Sequence, residues 1–109
     1  MFTEDSFVHK GLKAFWLSSG ADCSGIQPHF AKVLRVELVH LSTARSLSDI
    51  AGGLGRSKGF EKLTGFSDRY ALHVNGPFCL TFTCLDPKTG FLTKIDLENY
   101  HGAGGAKKR

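Results

Sequence analysis

Cysteine is scarce in this 109-residue chain, which carries only Cys23, Cys79 and Cys84. The odd count and irregular spacing argue against a disulfide framework. No two are separated by two residues, so zinc and thioredoxin-like chemistry based on Cys-x-x-Cys has no support. Cys79 and Cys84 are five apart in a strand pattern and point to opposite faces, which makes the remaining redox or metal reading a poor one. Long apolar runs are also missing. No stretch approaches the roughly 20 residues of a membrane span. The first ten residues hold Glu4, Asp5, His9 and Lys10 where a signal peptide needs an apolar segment. The expectation is a reduced cytoplasmic compartment with no membrane partner, no metal and no other cofactor. Acidic residues are outnumbered, 10 against 14 Lys plus Arg, for a net charge of +4. That excess suits an anionic partner such as RNA, or an acidic protein, without requiring either.

Apolar residues make up 41% of the chain and nine are Phe, enough for a core and too much for whole-chain disorder. The length suits one domain and is too short for two well-packed ones. Residues 2–8 are short and mixed, and could form an edge strand. Residues 10–18 read as a helix, with Leu12, Phe15 and Trp16 on one face and Ser18-Ser19-Gly20 as its end. Residues 28–44 give the clearest helix. Pro28 suits its first turn, and Phe30, Leu34, Leu38 and Leu41 form its apolar stripe. Residues 46–59 contain Gly52, Gly53, Gly55 and Gly59 and read as a mobile surface loop. A phosphate-loop reading is weak there, because no Gly-Lys-Ser/Thr ending and no helix follow.

Beyond Gly59 the period changes to two. Tyr70, Leu72 and Val74 alternate with Arg69, Ala71 and His73. Asn75-Gly76 is a hairpin signal. Phe78, Leu80, Phe82 and Cys84 alternate with Cys79, Thr81 and Thr83. Asp86-Pro87-Lys88-Thr89-Gly90 makes the next turn. Phe91, Thr93, Ile95 and Leu97 then alternate with Leu92, Lys94, Asp96 and Glu98. The expected fold is α+β: two N-terminal helices packed on one face of an antiparallel β-sheet. The expected domain spans residues 1–101, and residues 102–109, all Gly, Ala, Lys or Arg, form a flexible basic tail.

The open face of such a sheet would carry Arg69, His73, Cys79, Thr81, Lys94, Asp96 and Glu98, with Lys58 and Lys62 approaching from the preceding segment. A wet, partly basic face can bind single-stranded RNA, though alternating strands need a solvated face in any case. The last strand runs into Asn99-Tyr100-His101. His can serve as general acid or base near neutral pH. RNA supplies its own nucleophile, the 2′-OH, so cleavage needs only proton transfer and cations beside the phosphate. His101 is the candidate acid or base and Tyr100 its partner, with Asn99 preceding them. Lys58, Lys62, Arg69 and His73 are the candidate RNA contacts.

The order of several short motifs resembles the HigB-like branch of the RelE/ParE toxin superfamily. They are His9-Lys10-Gly11-Leu12, Gly25-Ile26-Gln27-Pro28, Ala31-Lys32, Leu34-Arg35, Leu63-Thr64-Gly65, Val74-Asn75-Gly76 with Phe78 and Leu80-Thr81-Phe82, and Glu98-Asn99-Tyr100-His101. The resemblance spans roughly residues 6–101. It implies a RelE-like fold and the toxin of a type II toxin-antitoxin system. It further implies a ribosome-dependent mRNA endoribonuclease with Tyr100 and His101 in catalytic positions. The implied partners are a cognate helix-turn-helix antitoxin, the ribosome and mRNA, with DNA reached only through the antitoxin. Several positions depart from the family pattern. Asn99 replaces a common Asp and cannot act as a base. Cys79 replaces an Arg and cannot make bidentate phosphate contacts. Thr64 replaces a Lys, and Glu61 stands where some members have His. The competing reading is a catalytically weakened toxin-fold protein that acts by binding antitoxin, ribosome or RNA, including repression of its operon together with the antitoxin.

Overall fold

His9 starts the first helix. In the computed structural model, which describes residues 1–53 and 59–99, the His9 Nδ1 accepts a hydrogen bond from the Leu12 N–H at 3.0 Å. That satisfies one of the orphan donors at the start of α1 (Lys10–Leu17). Leu12 and Phe15 are buried on its inner face, and half-buried Trp16 meets the Phe2 ring edge-on at 5.2 Å. Gly11 has a separate role. A Cβ there would lie 2.3 Å from the Gly25 carbonyl oxygen, and one on Gly25 would lie 2.5 Å from Gly11 Cα. The two backbones touch, so the His-Lys-Gly-Leu and Gly-Ile-Gln-Pro motifs are two halves of one contact.

A 3₁₀ turn, Pro28–Phe30, leads into α2 (Ala31–Thr43). Proline fits the first position because its missing N–H has no partner to lose there. Phe30, Leu34, Leu38 and Leu41 are all 2% exposed or less, as the stripe predicts. Each contributes about 1.5–3 kcal/mol by its burial.

The loop expected over residues 46–59 is incorrect in its first half. Residues Leu47–Gly52 form a third short helix, α3. The Ser46 hydroxyl caps it by accepting from the Asp49 N–H at 3.2 Å, and fully buried Ile50 anchors it. The cap and the apolar anchor outweigh the low helix propensity of the glycines that follow. Gly55 and Lys58 lie outside the described residues.

Four antiparallel strands follow in sequence order: β1 (Glu61–Lys62), β2 (Arg69–Asn75), β3 (Phe78–Thr83) and β4 (Thr93–Asn99). Asn75 pairs with Phe78, so the hairpin residues are Gly76 and Pro77, one place later than Asn75-Gly76 suggests. Gly76 takes φ +56°, which glycine adopts without strain. The edge strand expected at residues 2–8 reduces to a 3₁₀ turn (Glu4–Ser6) and one parallel bridge between Phe7 and Ile95.

The alternation expected across residues 91–98 also needs correction. Leu92 is fully buried, whereas Phe91 is 39% exposed. The pairing runs Thr81 to Asp96 but Thr83 to Thr93, so β4 spends three steps against two on β3. Lys94, at φ +51°, sits in this bulge. One extra residue reverses which side chains face inward before it. Past the bulge, Ile95 and Leu97 pack toward the core as expected. Leu12, Phe15, Leu34, Leu38, Leu41 and Ile50 meet Tyr70, Leu72, Val74, Leu80, Phe82 and Ile95 in one cluster. The helices thus cover one sheet face, and the other carries the polar side chains, although Ala71, Thr81 and Thr83 on it are buried rather than solvated as the alternation predicts.

Candidate functional site

The register sets out the open face level by level. His73 of β2 pairs with Cys79 of β3, which pairs with Glu98 of β4. Directly paired residues share a face, so these three side chains form a row. Phe78 pairs with Asn99 beside that row, where Asn99 ends β4 as an exposed residue. The chain then continues into Tyr100 and His101, which lie outside the described residues.

The candidate RNA contacts do not converge. His73 is exposed within the row. Lys62 pairs with Tyr70, a core residue, and Phe60 stacks on the Tyr70 ring at 5.5 Å. Phe60 and Lys62 therefore share the helix-side face, and it is Glu61, paired with Ala71, that reaches the open face. Arg69 lies at the opposite end of β2 and is 11% exposed at its side chain. Its Nη1 donates to Thr83 Oγ1 at 3.0 Å and to the Lys94 carbonyl at 2.9 Å, and its Nη2 donates to Thr81 Oγ1 at 2.8 Å. Thr81 Oγ1 in turn donates to Glu98 Oε1 at 3.0 Å. Glu98 Oε1 stands 3.7 Å from Arg69 Nη2. Arg69 is thereby built into the sheet, tying β2 to β3 and β4. Lys58 lies outside the described residues.

Cys79 reports the electrostatics of the row. Its thiol pKa is pushed up to about 11, first by burial and then by the charges of Glu61, Glu37 and Glu98. At neutral pH it is a protonated thiol, a poor nucleophile. Three carboxylates act on the position where the family resemblance expects an arginine. Glu37 is the residue that pattern reading missed. It is fully buried on α2, four residues before Leu41 and three after Leu34. Those spacings place it on the buried side and could have flagged it. Among the described residues, no group of three or more His, Cys, Asp or Glu side chains is placed to hold a metal ion.

A family comparison decides the broader identity. The profile of the HigB-like toxin family, described as the RelE-like toxin of type II toxin-antitoxin system HigB, matches residues 5–94. The chain belongs to the HigB-like toxin family. No curated protein matches it. As a HigB-like toxin it has, in general terms, an antitoxin for a partner. The matched span covers both abutting glycines, the Cys79 position and the β2–β3 hairpin, and stops short of Asn99-Tyr100-His101. No helix among the described residues is long and apolar enough to cross a membrane.

Proposed function

We propose that this HigB-like toxin arrests translation in the cytoplasm as a ribosome-dependent, metal-independent mRNA endoribonuclease of reduced catalytic power. The observation carrying this reading is the pairing of β4. It runs Asn99, the residue before Tyr100-His101, alongside the row formed by His73, Cys79 and Glu98, with the Asn99 side chain on the opposite face that it shares with its partner Phe78. In this mechanism His101 and Tyr100 handle the protons of 2′-OH attack and leaving-group departure, Asn99 orients them, and exposed His73 contacts the RNA. Lys58 and Lys62 are further candidate RNA contacts. The reduction follows from Cys79. A neutral thiol among carboxylates offers no charge to the phosphorane-like transition state. Losing one preorganised donor typically lowers kcat by about 10²–10³.

The same observation favours a second reading, a toxin that binds antitoxin, ribosome or RNA, and represses its operon with a helix-turn-helix antitoxin, with little cutting. Induction of the free toxin in bacteria, with mRNA ends mapped, separates the two. Growth arrest with in-frame cuts that vanish in His101→Ala supports the endoribonuclease. Ribosome association without cuts selects the binding reading. Normal growth with stable mRNA and no ribosome association refutes both.

A further inference from the structure

A cleft of about 300 Å³ lies between the start of α1, the segment before α2 and the Asn99 end of the sheet. Phe30, Phe78, Ile26 and Leu97 supply its apolar walls, and His9, Ser24 and Gln27 its polar rim. The Phe30 and Phe78 rings are tilted against each other with centroids 5.0 Å apart. Phe78 is the residue paired with Asn99, and Leu97 lies two residues before it, so the cleft adjoins the strand end that leads to Tyr100-His101.

We propose that this cleft is a nucleobase subsite, holding one base of the RNA that passes the end of β4. The proposal rests on the RNA-directed reading of this toxin given above. Three features support it. The cleft has the size of a small planar-ligand site, with apolar and polar surface in nearly equal parts. Half-buried Phe78, backed by the buried Phe30 ring, offers a stacking surface, and such stacking typically contributes about 1–3 kcal/mol per base. Its rim carries fixed hydrogen-bonding directions. The His9 Nδ1 is committed as acceptor to the Leu12 N–H, so the neutral ring carries its proton on Nε2 as a donor. The Ser24 hydroxyl is turned toward Asp22 Oδ1, to which it donates at 2.6 Å, which leaves its oxygen as an acceptor. Exposed Gln27 adds an amide with both a donor and an acceptor edge. The Gly11–Gly25 contact seats this rim against α1.

The test uses the four ribonucleoside 5′-monophosphates and the intact toxin, followed by amide chemical-shift mapping. The expected result is millimolar binding that shifts the amides of Gly25, Ile26, Phe78 and Leu97, with unequal affinity for the four bases. Gln27→Ala, at an exposed position that leaves the core intact, should compress that inequality at least threefold, and Gln27→Glu should reorder it. Shifts confined to other surfaces, or none at 10 mM nucleotide, would overturn the proposal. Equal shifts from ribose 5-phosphate would also overturn it, because the sugar and phosphate would then account for binding. Base-selective binding here in a toxin that cuts no mRNA would leave the subsite standing and remove only the cleavage reading.

Discussion

Alanine normally stabilises a helix when it replaces glycine, by up to about 1 kcal/mol. Gly11→Ala should do the reverse. The new Cβ would lie 2.3 Å from the Gly25 carbonyl oxygen and 2.6 Å from its carbon, both backbone atoms. An ordinary contact needs roughly 1 Å more, and neither segment can swing away as a side chain would. Overpacking of this kind typically costs about 1–3 kcal/mol. Gly11 sits in the first turn of α1, so little helix propensity is available to offset it. We expect a net loss of about 1–2 kcal/mol, a fall of roughly 5–10 °C in Tm for a domain of this size. The control is Gly52→Ala at the end of α3, where a Cβ would meet no described atom within 4 Å. That change should be neutral or raise Tm slightly. Urea titration followed by circular dichroism measures both. A Gly11→Ala protein as stable as the parent, or more stable, would refute the claim that the two glycines lock α1 to the segment before α2.

Thr81→Val keeps the shape of a fully buried side chain but removes the acceptor for Arg69 and the donor to Glu98. With hydrogen bonds to charged groups at about 1.5–3 kcal/mol each, and the 3.7 Å ion pair retained, the expected loss is about 2–3 kcal/mol by denaturant titration. A change under 0.5 kcal/mol would show that the network is not holding the three strands, by the same scale. Cys79 should alkylate slowly at pH 8 and accelerate about tenfold per pH unit toward its pKa of about 11. Mass-spectrometric iodoacetamide labelling reads this, and rapid labelling at pH 8 would contradict the carboxylate surroundings. Its pKa is raised on folding, so the stability it contributes is intact below its ordinary value of 9.0 and lost as pH climbs toward 11. Cys79→Ser should flatten that alkaline slope. Ser46→Ala removes the α3 cap and should cost about 1 kcal/mol. Faster hydrogen exchange at Asp49 and Ile50 would be its local signature.

The fold was legible where one physical signal dominated. The α2 stripe recurs in the structure as a burial pattern, whereas β2 and β3 keep the expected pairing faces but bury Ala71, Thr81 and Thr83 on the side expected to be solvated. The misses came where a short-range feature overrode the pattern. Ser46 and Ile50 make a helix ahead of a glycine cluster that reads as loop. The bulge at Lys94 exchanges the roles of Phe91 and Leu92, and no residue type announces a bulge when the positive φ falls on lysine. The site was less legible, for a reason of geometry. A list of cations near the right strands does not say which way each points. Lys62 takes the face of Tyr70, and Arg69 turns back onto its own sheet. Register decides both.

That register also bears on what the net charge of +4 can do. Cleavage needs positive charge within hydrogen-bonding reach of one phosphate, and the row beside Asn99 sets Glu98 and a protonated Cys79 next to His73, with Glu61 and Glu37 also acting on the thiol. Binding to a polyanion needs charge only somewhere along the path, and exposed Lys10, Lys32 and Arg35 provide it on the helical side. The exposed cations therefore lie on the helical side, while carboxylates surround the position where the family resemblance expects an arginine. Restoring a cation there is not the simple reversal it looks. An arginine at position 79 would meet Glu98 and Glu61 before it met a phosphate, and pairing with them would quench it. Under the proposed endoribonuclease reading, stronger mRNA cutting should therefore need Cys79→Arg together with a neutral residue at 61, a combination whose effect on mapped cuts should exceed the sum of the two single changes because the sites interact directly.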